Sequence, residues 1–507
     1  MKKTLVLLVL NGIILSLVLI FVISCNLLLF QKEKDIVPLV GGSNSNIGRV
    51  SNNFGTLLGR DIDGDGDYDA AAIFSNIYNV DVINGRDIAN SMFMDSIGRI
   101  YITGETWNGN YLSVYVMRLD NNGILDNSFG TNGKVIFNSI DGVYEVGGAN
   151  SLYIDSNDKI YVTGESYNGS NWDVYVIRLN GNGSLDNTFS GDGKVLFDSI
   201  AFGNDDDFGK SLYVDNNGRI YVTGYSYNGT NLDMYVIRLS SNGSLDNTFD
   251  SDGKVFINNI AGSDSVDVGN SIYVDSNGKV YVTGRSYNGS NYDMYVIRLN
   301  SDGSLDNSFG NNGKVIFNSI AGGDGDDLAN SIYVDSSGKI FVTGESSNGG
   351  DYDVYVMRLN SDGSLDNSFG NNGKVIFNNI AGGDGMDYVK DLFVDYTGGI
   401  YITGDSPNID GNSDGYLIRL NSDGTLDNSF GNNGKIILNN IAYPNSFDFA
   451  NSLYVNSIGK IFITGCSGEA VPANIVNSIS NDLQNLDVFV LQIEWILIKR
   501  QKLNHWG

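Results

Sequence analysis

The chain has 507 residues, of which only one is histidine, two are cysteine and four are proline. The single histidine, His505, lies beside the C-terminal end. A Ser-His-Asp or Cys-His arrangement therefore cannot be built in the body of the protein, and neither can a His-ligated zinc site. Two cysteines could form one disulfide, but Cys25 sits where another fate is expected, which leaves Cys466 alone. Basic residues are also scarce: 31 Lys and Arg against 59 Asp and Glu give a formal charge of −28. Nucleic-acid binding depends on Lys and Arg contacts to phosphate, so that class of partner is excluded; cations and neutral ligands such as glycans fit better. What the chain has is glycine, 64 residues of it, and 41% hydrophobic residues. That combination suits many tight turns between short buried strands.

A length of 507 residues would ordinarily suggest two or three domains. An internal period overrides this, because repeats stack into one continuous core. A Thr-Gly pair begins at Thr103, Thr163, Thr223, Thr283, Thr343, Thr403 and Thr464, five steps of 60 residues and one of 61. In the copy near residue 267, strand chemistry falls at 271–275, 279–283, 293–299 and 314–318, separated by Asn-Gly turns and a longer connection at 301–313. The third run, Met294-Tyr-Val-Ile-Arg-Leu299, is apolar on both faces apart from Arg298, as a strand covered on both sides should be. Four-stranded units covered on both faces by their neighbours are propeller blades, whereas a β-solenoid has shorter rungs and needs no closure. The expected fold is all-β, a seven-bladed β-propeller with repeats starting near 87, 147, 207, 267, 327, 387 and 448. The seventh copy has no fourth run after its third. Residues 71–77, Ala-Ala-Ile-Phe-Ser-Asn-Ile, align with Lys134-Val-Ile-Phe-Asn-Ser-Ile140 and would supply it, closing the ring.

The run from Asn360 to Val375, Asn-Ser-Asp-Gly-Ser-Leu-Asp-Asn-Ser-Phe-Gly-Asn-Asn-Gly-Lys-Val, resembles the delta-60 repeat family of bacterial secreted and surface proteins. The resemblance implies a propeller and an extracytoplasmic address, and it brings no catalytic residues with it. The copies differ little, residues 301–318 and 361–378 being identical, so whatever recurs everywhere reads as frame. Arg118, Arg178, Arg238, Arg298, Arg358 and Arg419 recur in this way, and each is expected to meet a carboxylate of its own unit such as Asp306. Variation concentrates just after the Thr-Gly, at Glu105, Glu165, Tyr225, Arg285, Glu345, Asp405 and Cys466. Two positions on stand Trp107, Tyr167, Tyr227 and Tyr287. We expect these in the loop between second and third strands, forming a face for a protein or glycan ligand.

Three segments lie outside the repeat. Residues 1–25 carry a basic start, an apolar run and Val22-Ile-Ser-Cys25, which resembles the lipobox of bacterial lipoproteins; lipidation at Cys25 is one reading, an uncleaved membrane anchor a second and full release of the body a third. All three put the body outside the cytoplasm, and the first two hold it at the cell envelope on a tether of residues 26–47. Within the propeller region, 48–495, Asp61, Asp63, Asp65, Asp67 and Asp69 alternate around Gly66. Alternate carboxylates at a sharp turn supply the oxygens that Ca²⁺ takes, and with Phe54-Gly55 before them they resemble the calcium loop of FG-GAP repeats. An EF-hand is excluded, because Ala72 stands where its Glu is needed. This loop is expected on the face opposite the ligand face, near the tether. The tail, 496–507, breaks the composition of the repeat. Together these readings give a non-catalytic, membrane-tethered binding or scaffold module stabilised by calcium. The alternatives are a carboxylate-based glycan hydrolase using Glu105, Glu165, Glu345 or Asp405, and a purely structural surface protein.

Overall fold

In every copy the Gly of the Thr-Gly pair faces a kink in the neighbouring strand, and this contact explains why the pair recurs. The first strand of a unit bulges (between Gly269 and Ser271 in the fourth copy), and a methyl group on Gly284 would overlap the Val268 carbonyl oxygen. With that carbonyl uncovered, the Tyr295 hydroxyl donates to it at 2.8 Å, while the Thr283 hydroxyl donates to the Tyr295 carbonyl at 2.6 Å. The same pair of hydrogen bonds ties strands one, two and three together in copies one to six.

The computed structural model of the protein describes residues 56–60, 69–74, 77–78, 86–140, 142, 146–201, 205–442, 445–468 and 486–493. Its elements are strands throughout. Six sheets have four consecutive antiparallel strands and one has five. In the fourth blade the strands are Asp267–Val274, Val280–Tyr287, Tyr292–Leu299 and Lys314–Phe317. The first strands of successive blades pack against one another around the axis, so the first strand is innermost and the fourth outermost. The third strand, as expected, is buried along all but its first residue. Seven apolar clusters hold the ring, and each straddles one interface between neighbouring blades. No blade has a core of its own, so a free blade edge would leave half a core exposed. The protein is a seven-bladed β-propeller.

Closure uses both ends of the propeller region. Asp69–Phe74 pairs antiparallel with Leu486–Ile493 and becomes the fourth strand of the last blade, starting two residues before the expected 71–77 and leaving Ile77 in a turn. A further strand, Thr56–Arg60, pairs outside it and makes this sheet five-stranded. That strand corrects the expectation of a loop running from residue 54. Arg60 and Asp69 pair at the end that carries third-to-fourth connections, whereas Thr56 stands at the other end of the blade. Across the closing interface the Asn451 side-chain amide donates to the Ala89 carbonyl at 2.9 Å, and the Met92 N–H donates to the Ser452 hydroxyl at 3.2 Å. Asn90 and Ser91 make the corresponding bonds to the second blade, to the Ala149 carbonyl and from the Leu152 N–H.

Because strands alternate in direction, the propeller has two faces. The upper face carries the second-to-third hairpins and the links between blades. The lower face carries the first-to-second turns and the third-to-fourth connections. An aromatic from the lower end of each first strand contributes to a collar around the axis: Phe93, Tyr153, Tyr213, Tyr273, Tyr333, Phe393 and Tyr454, with neighbouring centroids 5.0–5.9 Å apart at six of the contacts.

Candidate functional site

The recurrent arginines are structural. Arg298 donates through Nε to Asp306 at 2.8 Å and through Nη2 to the Ser308 hydroxyl at 2.9 Å, and Nη1 reaches the Ser361 carbonyl of the next blade. Arg178, Arg238 and Arg358 pair through Nε with Asp186, Asp246 and Asp366 in the same way, while Arg118 meets Asp126 through Nη2 and Arg419 meets Asp427 through Nη1. Each expected carboxylate is in place. An arginine spent on two loops and a neighbouring backbone is not available to an anionic ligand.

The copy-specific positions sit differently from the expectation. Glu105, Glu165, Tyr225, Arg285, Glu345 and Asp405 lie within the second strand, opposite the upper part of the first, and not in the loop that follows. Trp107, Tyr167, Tyr227 and Tyr287 are the last residues of that strand, paired with Leu112, Trp172, Leu232 and Tyr292. The sequence suggested a loop because Asn-Gly follows immediately; the hairpin is tighter than that, with strand pairing running right up to it.

The copy-specific positions repeat at one register near the upper end of each second strand, an annulus around the ring, and Glu165, Tyr225, Glu345 and Asp405 there meet the bulge residues Asn150, Lys210, Asn330 and Lys390. Its acids are engaged in the frame. Glu105 pairs with Arg86 at 2.9 Å, and Glu165 accepts from the Asn150 amide at 2.7 Å. Glu345, 3% exposed, accepts from both the Asn330 amide and the Val389 N–H of the next blade at 2.9 Å. Asp405 accepts from the Ser413 hydroxyl at 3.0 Å and lies 3.9 Å from the Lys390 ammonium. Burial pushes all four upward, and Glu345 reaches about 7 with Asp405 adding to the rise and Lys390 opposing it. Cys466, the seventh member, is a buried free thiol that burial pushes up to about 12, so it is inert at neutral pH.

Aromatic and cationic groups of the annulus remain partly open. Phe208 stacks on Tyr225 at 4.8 Å, and the Lys210 ammonium lies over both rings at 5.6 and 5.5 Å. The Arg285 guanidinium lies 5.4 Å from the centroid of the Tyr292 ring, and Tyr292 itself packs on Tyr287 at 5.4 Å. Tyr167 and Trp172 make a corresponding pair at 5.3 Å. Sequence reasoning missed the partners Trp172, Tyr292 and Phe208, which become neighbours only through the strand register.

A second set of acids begins each first strand except in the second blade, where Gly147 stands instead: Asp87, Asp207, Asp267, Asp327, Asp387 and Asp448. They are almost wholly buried, accept backbone N–H groups from the preceding link, and contact a Ser or Thr two residues past the Thr-Gly pair. Burial pushes Asp87 up to about 7, and Asp207, Asp267 and Asp448 to about 6. Their recurrence and their bonds to the links make them hinges of the frame.

Among the described residues no three His, Cys, Asp or Glu side chains are grouped to hold a metal ion, and no helix is long and apolar enough to cross a membrane. Cys25, Asp61, Asp63, Asp65 and Asp67 lie outside the described residues, and Asp69 opens the closing strand.

Six stretches of the chain, residues 98–129, 156–189, 216–249, 276–309, 336–369 and 397–430, match the sequence model of a family described as Domain of unknown function (DUF5122) beta-propeller. Each runs from the first lower turn of a blade to the Phe of its third-to-fourth connection. No curated protein matches the chain. Similar solved structures include a protein of unknown function from Bacteroides caccae (12% identity, TM-score 0.37, 73% of this chain and 98% of that one). They also include the polysaccharide lyase Uly1 (10%, 0.41, 80% and 89%) and a gluconolactonase from Xanthomonas campestris (11%, 0.35, 82% and 97%). Likenesses this loose carry no argument about activity.

Proposed function

We propose that this β-propeller repeat protein is a non-catalytic binding or scaffold module of the cell envelope, held to a membrane by its N-terminal segment and stiffened by calcium at its ring closure. The observation that carries the reading is how the four copy-specific acids are used. Glu105, Glu165, Glu345 and Asp405 each meet a cation, an amide or a hydroxyl of the frame, and Glu345 is tied to the neighbouring blade's backbone. A glycosidase needs one carboxyl free to protonate the leaving group and a second facing the sugar. What stays open at this end is aromatic, with Tyr167 beside Trp172 and Tyr287 beside Tyr292, flanked by Lys210 and Arg285. Flat rings with polar edges are what stacks on sugar faces or anchors a protein partner. The envelope address rests on the Val22-Ile-Ser-Cys25 motif and on the resemblance to delta-60 repeat proteins.

The hydrolase reading keeps one observation in its favour: burial holds Glu345 near neutrality with Asp405 close by, the split that acid–base pairs use. A glycan array combined with a hydrolysis screen separates the readings. Binding without turnover is the expected result. Turnover that disappears in Glu345→Gln would overturn the proposal in favour of the hydrolase, and neither binding nor turnover would favour a purely structural role.

A further inference from the structure

Six of the seven blade interfaces are plugged from below by one phenylalanine each. Phe129, Phe189, Phe249, Phe309, Phe369 and Phe430 lie within the third-to-fourth connections of blades one to six and have no exposed surface. Phe309 belongs to the cluster of Tyr281, Val296 and Ile340, with Val315 packed against it and the Arg298 guanidinium 4.7 Å away. A Cβ on Gly363 of the next blade would lie 2.9 Å from its ring, so that glycine closes the socket. The Gly310 N–H then donates to the Asp362 carbonyl at 2.8 Å, and the same loop-to-loop bond links the blades in turn from first to sixth.

The seventh copy lacks the Asp-Asn-Ser-Phe-Gly connection. At its interface with the first blade lies a crevice lined by Ala72, Ile100, Asn122, Gly123, Phe462, Val490 and Gln492. Register identifies this crevice as the seventh socket. Ala72 pairs with Val490 as Val315 pairs with Val296, and Phe462 with Gln492 as Tyr281 with Arg298. Ile100, Asn122 and Gly123 hold the places of Ile340, Asp362 and Gly363. No phenylalanine of the described residues enters it.

A second observation points to the same place. The large hydrophobic residues Tyr396, Ile458 and Ile97 stand 82%, 75% and 69% exposed on the first-to-second turns of blades six, seven and one, and Ile124, beside Gly123, is 48% exposed. Those turns in blades two to five carry Ser or Asn at the same positions, at Ser156, Asn157, Asn216, Asn217, Ser276, Asn277, Ser336 and Ser337. Surface apolar residues gathered at three adjacent blades mark a contact surface. The strand Leu486–Ile493 ends on this face, with Gln492 in the wall of the crevice. The chain continues Glu494-Trp-Ile-Leu-Ile498, then Lys499, Arg500 and Lys502, in a protein of net charge −28. Leu503 follows Ile493 by the same ten residues that separate Phe309 from Leu299.

We propose that the C-terminal segment, residues 494–507, docks on the lower face across the ring closure. Its Trp495–Ile498 run covers the arc of Tyr396, Ile458 and Ile97, and Leu503 enters the seventh socket in place of the missing phenylalanine. The segment is a latch that completes the lower belt of the propeller.

Trypsin digestion of the full chain tests this, because Lys499, Arg500 and Lys502 are cleavage sites inside the latch. We expect cleavage there at least tenfold slower than in a synthetic peptide of residues 494–507, and Leu503→Asp to restore the peptide's rate while the propeller stays folded by circular dichroism. Ala72→Phe, which fills the socket from the closing strand, should likewise release the segment. Cleavage of the parent chain at the peptide's rate overturns the proposal. So does protection that survives Leu503→Asp, or protection that vanishes on dilution, which would assign the surface to a second copy of the chain.

Discussion

Single residues set the electrostatic character of this fold more than its net charge suggests. The hinge acids titrate high because burial penalises their charged form, and Asp267 at about 6 is representative. Since its carboxyl holds a proton more tightly in the fold than in the unfolded chain, the stability it contributes is complete below about pH 4 and is lost as pH rises through 6. Asp186, Asp306 and Asp366 work in the opposite sense. Against the cost of partial burial, hydrogen bonds from Lys159, Lys279 and Lys339 and from neighbouring hydroxyls, with the arginines adding to them, hold these carboxyls below the usual range. Their contribution is present above about pH 4 and lost below it. The protein should therefore melt higher at pH 5 than at pH 8. Asp267→Asn, which fixes the neutral state, should narrow that difference by raising the pH 8 value. Scanning calorimetry at the two pH values checks it, and an unchanged difference in the variant would show that net charge alone is responsible.

At the scale of elements, the legible part of the sequence was whatever must recur in every copy. The Thr-Gly pair, the doubly buried third strand and the Arg–Asp tie each answer a packing demand repeated in six or seven places, so comparison of copies exposes them. Strand ends were less legible. Glu105 and Arg285 were expected in a loop because Asn-Gly turn signals follow them, whereas cross-strand pairing carries the second strand through Trp107 and Tyr287. The partners Trp172 and Tyr292 could not be read at all, since a register is a relation between two strands. The extra strand Thr56–Arg60 was missed for the same reason. It matters to the calcium proposal, because Arg60 and Asp69, the residues on either side of 61–68, pair with each other across the two strands. Millimolar Ca²⁺ should raise the melting temperature by several degrees, a shift expected for about 2–3 kcal/mol of linked binding. A double variant, Asp63→Ala with Asp65→Ala, should not respond. A parent protein indifferent to Ca²⁺ would end that idea.

The whole molecule divides into a frame that repeats and two places where it does not. One is the annulus at the upper end, where five residue types share the seven copies of one register position. The other is the ring closure, where both ends of the propeller region meet and the lower belt is interrupted. On the proposed binding function, the aromatic pairs of blades two, three and four would take one extended ligand across adjacent blades. The most direct test is affinity. For whatever ligand the array identifies, titration by calorimetry should show binding at least tenfold weaker in Tyr167→Ala and in Tyr287→Ala, with melting temperature unchanged and no product formed. Full affinity in both variants, or consumption of the ligand by the parent protein, would contradict the account.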